Sequence, residues 1–248
     1  MIPRKTPAEL DKMRSAGRLV GRLLKALEAR VAPGVSTEEL DRFAADFIRS
    51  GGAEPTFLGY HGYPAAICTS INEVVVHGIP SPRRLAEGDI IGVDVGATLE
   101  GFVADAARTF AVGRISDEAR RLMDVTLESL DLGLAQVRPG CRLQDIGAAV
   151  QGRVEAAGFT VVREFVGHGV GRKLHEPPQI PNYGRRGLGP KIMEGMTFAI
   201  EPMVNAGGHE VEVLSDGWTA VTKDRRLSAH FEDTVAALAG GPEILTRA

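Results

Sequence analysis

The sequence predicts an α+β fold of two pseudo-symmetric halves, about residues 1–115 and 116–248, sharing an antiparallel sheet with helices on its outer face and forming a single domain. Three observations predict it. "VAPGVSTEELDRFAADFIRSGG" from Val31 and "VRPGCRLQDIGAAVQGRVEAAG" from Val137 align without a gap at a spacing of 106 residues, with the Val, the Pro-Gly and the closing Gly coinciding. At a spacing of 107, "EGDIIGVDVG" from Glu87 matches "EGMTFAIEPM" from Glu194, which sets Asp94 against Glu201 and also His61 against His168. In each half a stretch of helical apolar spacing precedes strand-like runs, and no Ser/Gly-rich or charged linker divides them.

The elements follow in chain order. Thr6, Pro7 and Glu9 read as N-cap, first helical residue and capping-box partner of an opening helix. Ser36 and Glu39 make a second capping box at the entry to the first repeated helix. "GVDVGATLEGFVADAARTF", residues 92–110, reads as a hairpin. A turn centred on Leu99-Glu100 puts Asp94 directly across the ladder from Asp105. Residues 113–117 join the halves, and Ser116 caps the next helix, whose Met and Leu residues between 122 and 134 read as core. Cys141 lies in the loop entering the second repeated helix, and Gly/Pro clusters at 184–190 and 205–209 read as surface loops.

Composition limits the function. With 44% hydrophobic and 25% charged residues the chain is an ordinary globular one, and a net charge of −3 argues against a dedicated nucleic-acid partner. Two cysteines make no disulfide framework and suggest the reducing cytoplasm. No apolar run reaches a membrane span, and the N-terminus lacks the apolar segment of a secretory signal.

Five residues occupy strand-like, apolar settings in which their side chains are costly to bury: Asp94, Asp105, His168, Glu201 and Glu232. Singly, each has a dull explanation, such as a turn acid, a core histidine or a solvent-facing glutamate. Glu201 is the hardest to dismiss, because it ends the apolar run "TFAIEPMV" and Pro202 favours an extended backbone there. Four carboxylates and an imidazole exceed the needs of one divalent ion and suit two, roughly 3.5–4 Å apart with bridging carboxylates. Oxygen donors with one nitrogen favour Mn, Fe(II) or Co, with Zn also compatible.

Together, "DVGATLEGFVADAARTF", "GHGVGRKLHEPPQIPNY", "FAIEPM" and "LSAHFEDTV", in this order, resemble the methionine aminopeptidases of the short type I form, over nearly the whole chain. The resemblance implies the pita-bread fold, whose two pseudo-symmetric halves agree with the repeat. It implies removal of N-terminal methionine from nascent proteins and peptides, with a small second residue preferred and a dinuclear-metal hydroxide attacking the scissile carbonyl. By this resemblance Asp94 chelates one metal, His168 and Glu201 bind the other, and Asp105 and Glu232 bridge; Glu201 also moves the water's proton. His77 and His175 contact substrate and assist the reaction without binding metal, while Tyr60, Tyr63, Cys68 and Trp218 line the methionine pocket. Asn72, Val74 and Ser228 match a monovalent-cation site, where a plain loop role serves equally well. The resemblance further implies a cytoplasmic monomer working on nascent N-termini near the ribosome exit, with no membrane partner.

Three positions depart from the family pattern: Phe57, Leu174 and Asp233, which touch pocket shape and nearby charge. His61 is expected to be structural. Two rivals carry different functions. Proline-specific aminopeptidases and dipeptidases share the five ligands but normally carry an extra N-terminal domain and lack the "GYHGYPAAICTSINEVVVHG" approach, and creatinase-type members lose the ligands. A catalytically inactive binding module would have no need of five intact ligands.

Overall fold

The protein is described here as a computed structural model covering residues 2–247. Four helices form where capping and spacing predict them. In α1 (Pro7–Glu28) the Thr6 hydroxyl accepts the Glu9 N–H at 3.3 Å and the Glu9 carboxylate accepts the Thr6 N–H at 2.9 Å. α2 (Thr37–Ser50) is boxed by Ser36 and Glu39 in the same way, and Ser116 caps α3 (Asp117–Leu134) through the Ala119 N–H. α4 (Leu143–Ala156) begins at Arg142 with only the return arm, its backbone N–H donating to Asp145 at 2.7 Å. The limits of α2 and α4 coincide under the repeat spacing.

Among the described residues the strands fall into four antiparallel sheets. β1 (Glu54–Pro55), β2 (Ile67–Ile71), β4 (Ile90–Leu99) and β5 (Phe102–Ala111) form the sheet of the first half. β7 (Gly167–Gly169), β8 (Glu176–Ile180), β9 (Thr197–Ile200), β14 (Asp233–Leu238) and β15 (Gly241–Ile244) form that of the second. β6 (Thr160–Val161), β10 (Met203–Asn205) and β13 (Ser228–His230) make a third sheet, and β3 (Val74–Val76), β11 (Val211–Val213) and β12 (Ala220–Thr222) a fourth.

The expected architecture of two antiparallel halves with helices outside is present, its strands divided among four sheets; one expectation, the hairpin register, is corrected. The halves meet at a seam where Ala107 and Glu232 exchange backbone hydrogen bonds at 2.9 and 3.3 Å and Thr234 holds both backbone groups of Asp105. The strands are divided because the chain changes sheet at Glu201-Pro202, between β9 and β10, and again at Phe231-Glu232, between β13 and β14. The hairpin register is shifted. Leu99 pairs with Phe102, so Asp94 lies opposite Ala107 and Asp105 opposite Gly96. The two-residue turn is Glu100-Gly101, both at positive φ (50° and 76°), as the right-handed twist of a hairpin demands, and Gly101 adopts that conformation without a Cβ penalty. A shift of two residues keeps both aspartates on one face, now as diagonal neighbours.

Each half has its own core. Leu23, Leu27 and Ile48 pack on Ile91, Val93 and Val95 in the first; Leu122, Leu130 and Val150 pack on Phe198, Ile200 and Val235 in the second. Each such side chain contributes about 1.5–3 kcal/mol, so the two cores supply the stability that a seam of buried acids consumes. Of the 122–134 stripe Leu122, Leu130 and Leu134 are core and Met123 and Leu127 pack against it, but Leu132 faces solvent, while Asn205 and Ala206 belong to a buried strand end and only the residues after them reach the surface. Among the described residues no helix is long and apolar enough to cross a membrane.

Candidate metal centre and active-site cavity

The seam between the halves is where the costly side chains converge. Asp94 and Asp105 come from the long hairpin of the first half, and His168 from the short strand β7. Glu201 and Glu232 occupy the two irregular breaks at which the chain changes sheet. These breaks lie side by side because β9 pairs with β14 and β10 with β13. A ladder residue points its side chain along the sheet normal; a residue between two ladders is free to turn it into the seam.

Donor atoms of Asp105, His168 and Glu232 lie within 4.8 Å of one another. His168 Nε2 stands 3.4 Å from Glu201 Oε1 and 3.8 Å from Asp105 Oδ2. Its Nδ1 lies 3.0 Å from the Gly169 carbonyl, so with Nδ1 protonated Nε2 keeps its lone pair toward the acids. Burial pushes the Asp94 carboxyl up to about 7. Burial, then repulsion from neighbouring acids, drives Asp105, Glu201 and Glu232 well above the usual carboxylate range. Burial holds His168 down at about 4.

Three inward oxygens have no hydrogen-bond partner: Asp94 Oδ1, Asp105 Oδ1 and Glu232 Oε1. An orphaned buried acceptor costs the protein its full desolvation penalty, and three of them around one imidazole fit a divalent cation centre. Oxygen-rich donors with one nitrogen match the hard to borderline metals.

The acids form the floor of a cavity of about 380 Å³ whose walls include Tyr60, Tyr63, Cys68, His77, His175 and Trp218. Tyr63 is fixed by its hydroxyl donating to the Ile67 and Gly78 carbonyls and packs edge-on against Trp218 at 5.1 Å. The Tyr60 hydroxyl meets His175 Nδ1 at 2.7 Å, and the His175 ring lies 4.2 Å from that of His168. His77, at positive φ, is flanked by Phe165 and Trp218 and held down at about 4 by burial. Cys68 pairs with Asp94 across β2 and β4, and burial pushes its thiol up, so it acts as a wall and not as a thiolate.

Every residue expected at the metals or in the pocket therefore reaches this one cavity. Phe57 and Leu174 line it as well. Asp233 does not: it is fully buried behind Glu232, paired with Arg108 at 2.7 Å and Arg247 at 2.8 Å. His61, expected to be structural, is exposed at the rim and sets its ring against Tyr60 at 4.4 Å. Asn72, Val74 and Ser228 lie away from the cavity. The Asn72 carbonyl accepts the Ser228 N–H at 2.8 Å, and its side-chain amide ties Asp89 to Ile90.

Sequence reasoning missed Val76, Phe165 and Val166, which line the cavity, and His230 behind it. Phe165, three residues before His168, closes one wall. His230 is buried behind the acids, its Nε2 without a hydrogen-bond partner and 3.8 Å from Glu201 Oε2. Its position two residues before Glu232, on the strand that leads to that acid, was the available signal.

Fold and site together define a metal-dependent hydrolase of the peptidase type. The profile of metallopeptidase family M24 matches residues 11–238, and the chain belongs to that family. It is 53% identical over 246 residues to the methionine aminopeptidase of Clostridium perfringens, covering 99% of both chains. The crystal structure of methionine aminopeptidase from Thermotoga maritima superposes with a TM-score of 0.98 at 45% identity, covering 100% of each. A prolidase from Pyrococcus horikoshii shares the fold alone, with a TM-score of 0.78, 20% identity and 98% of this chain set against 63% of its own.

Proposed function

We propose that this chain removes the N-terminal methionine from nascent proteins and peptides, favouring a small second residue, with two divalent ions held by Asp94, Asp105, His168, Glu201 and Glu232. The observation that carries the reading is the set of orphaned acid oxygens on the floor of an aromatic-walled cavity. Asp94 would hold one ion and His168 and Glu201 the other, with Asp105 and Glu232 available to both. When bound, Mn, Fe(II) or Co supplies Lewis acidity and lowers the pKa of water toward neutrality.

The protein's own groups do the rest. Glu201, beside His168, takes the proton of the attacking water and returns it to the leaving nitrogen. The Tyr60 hydroxyl lies 2.7 Å from His175 Nδ1; with Tyr60 as donor, Nε2–H is left to donate to the oxygen that becomes negative. His77 holds the peptide beyond the scissile bond. Tyr60, Tyr63, Cys68 and Trp218 receive the methionine side chain, for which an apolar, aromatic wall gives sulfur–aromatic contact. A bulky second residue would crowd the carbonyl being attacked, which is why small ones are favoured.

The rest of the reading follows from the substrate, since a free N-terminal methionine marks a newly initiated chain. The enzyme acts as a cytoplasmic monomer near the ribosome exit, as one catalytic domain and without membrane or nucleic-acid partners. Asn72, Val74 and Ser228 hold one monovalent cation through backbone oxygens. Metal-stripped protein tested on Met-Ala-Ser and Pro-Ala-Ser, with Mn(II), Co(II) or Fe(II) restored, should release methionine only with metal and leave the proline peptide intact. Release of proline in preference to methionine would contradict the reading.

A further inference from the structure

The turn between β7 and β8 presents His175 to the cavity, yet its own shape is set by a carboxylate outside it. Glu176 Oε1 accepts the backbone N–H groups of Arg172 at 2.8 Å and Lys173 at 3.3 Å, while Oε2 accepts Lys5 Nζ at 2.6 Å. The two side chains are 6% and 10% exposed. Lys5 comes from the segment before α1 in the opposite half, and its backbone N–H is fixed on the Gly195 carbonyl at 2.6 Å. A second tie runs in parallel, with Arg172 on Glu9 at 3.0 Å. The turn has been shaped around this pair. A Cβ on Gly171 would stand 2.2 Å from Lys5 Cε and 2.8 Å from Glu176 Oε1, and the Gly171 carbonyl is itself pinned by the Val103 N–H at 2.7 Å.

A buried ion pair gives little net stability over an apolar pair of the same volume, because two desolvation penalties offset the attraction; what it fixes is geometry. Glu176 is covalently next to His175, and its carboxylate has both oxygens committed. We propose that Lys5 and Glu176 are positioning residues for His175: the N-terminal segment of one half clamps the turn that aims the imidazole in the other. The inference rests on the role given to His175 above.

It is tested by kcat and KM for methionine release from Met-Ala-Ser, with Mn(II) affinity of metal-stripped protein measured by calorimetry, in wild type, H175A, K5M, E176Q and K5M/E176Q. H175A should lower kcat. K5M and E176Q should lower kcat by up to roughly 10²-fold, the scale of a 1 Å misplacement, with KM and Mn(II) affinity as in wild type. The double variant should be no worse than the poorer single, because both remove one device. If K5M does not fold, E176Q decides, since it keeps the volume and an acceptor for the turn. Wild-type kcat in K5M and E176Q beside a crippled H175A would overturn the proposal, as would losses that follow Mn(II) affinity or that add in the double variant. Wild-type kcat in H175A would overturn the assignment of His175, and this inference with it.

Discussion

The two halves share a plan and differ in how they deliver acids. In the first, Asp94 and Asp105 sit inside one ten-by-ten-residue hairpin, held in register along its whole length. In the second, β9 is cut to four residues and β7 to three, and Glu201 and Glu232 fall in the breaks. The repeat positions occupied by histidine diverge further, His168 being buried among acids and His61 exposed at a rim. A repeat therefore supplies a frame with two equivalent edges; the chemistry arises where one copy gives up regular pairing to turn side chains inward.

The comparison breaks most severely at Asp105 and Glu232, the acids proposed to serve both ions, one from each half. Asp105→Ala or Glu232→Ala should abolish methionine release while circular dichroism reports an intact fold; activity at saturating metal in either would dissociate the halves' roles. The histidines come next. His175→Ala should lose about 10²–10³ in kcat, the value of a donor aimed at an oxyanion, with metal binding retained, whereas His61→Ala should leave kcat near wild type despite its matching repeat position.

A smaller effect concerns pH. Raised carboxyls keep protons in the folded state that the unfolded chain has released, so they cost stability as pH rises through the window above about 4. Histidines held low, His77 and His168 at about 4 and His230 at about 3, refuse protons that the unfolded chain accepts below about 6.5, an effect of opposite sign confined to that lower window. Metal-free protein should therefore lose Tm between pH 6.5 and 8, and Mn(II) should restore it. A metal-free Tm that rises across that interval would mean the acids are not held as described.

Much of this was legible because local rules conflict with setting. An Asp or Glu in an apolar strand is visible from the sequence, and so are caps such as Thr6–Glu9 and Ser36–Glu39, which depend on residues three apart. The hairpin register was not, because it turns on Gly101 and not Leu99 accepting positive φ. The division into four sheets depends on which strands meet across the seam. His230 in an apolar run looks like core, and the Lys5–Glu176 pair joins residues 171 positions apart. The smallest prediction returns to the caps: Ser36→Ala should cost α2 about 1 kcal/mol by denaturant titration.

Whether the two halves jointly hold two ions is decided by anomalous diffraction at the manganese edge from crystals grown with Mn(II). Two peaks roughly 3.5–4 Å apart are expected, one beside Asp94, one beside His168 and Glu201, with Asp105 and Glu232 between. A single peak, or peaks away from these five residues, would contradict it.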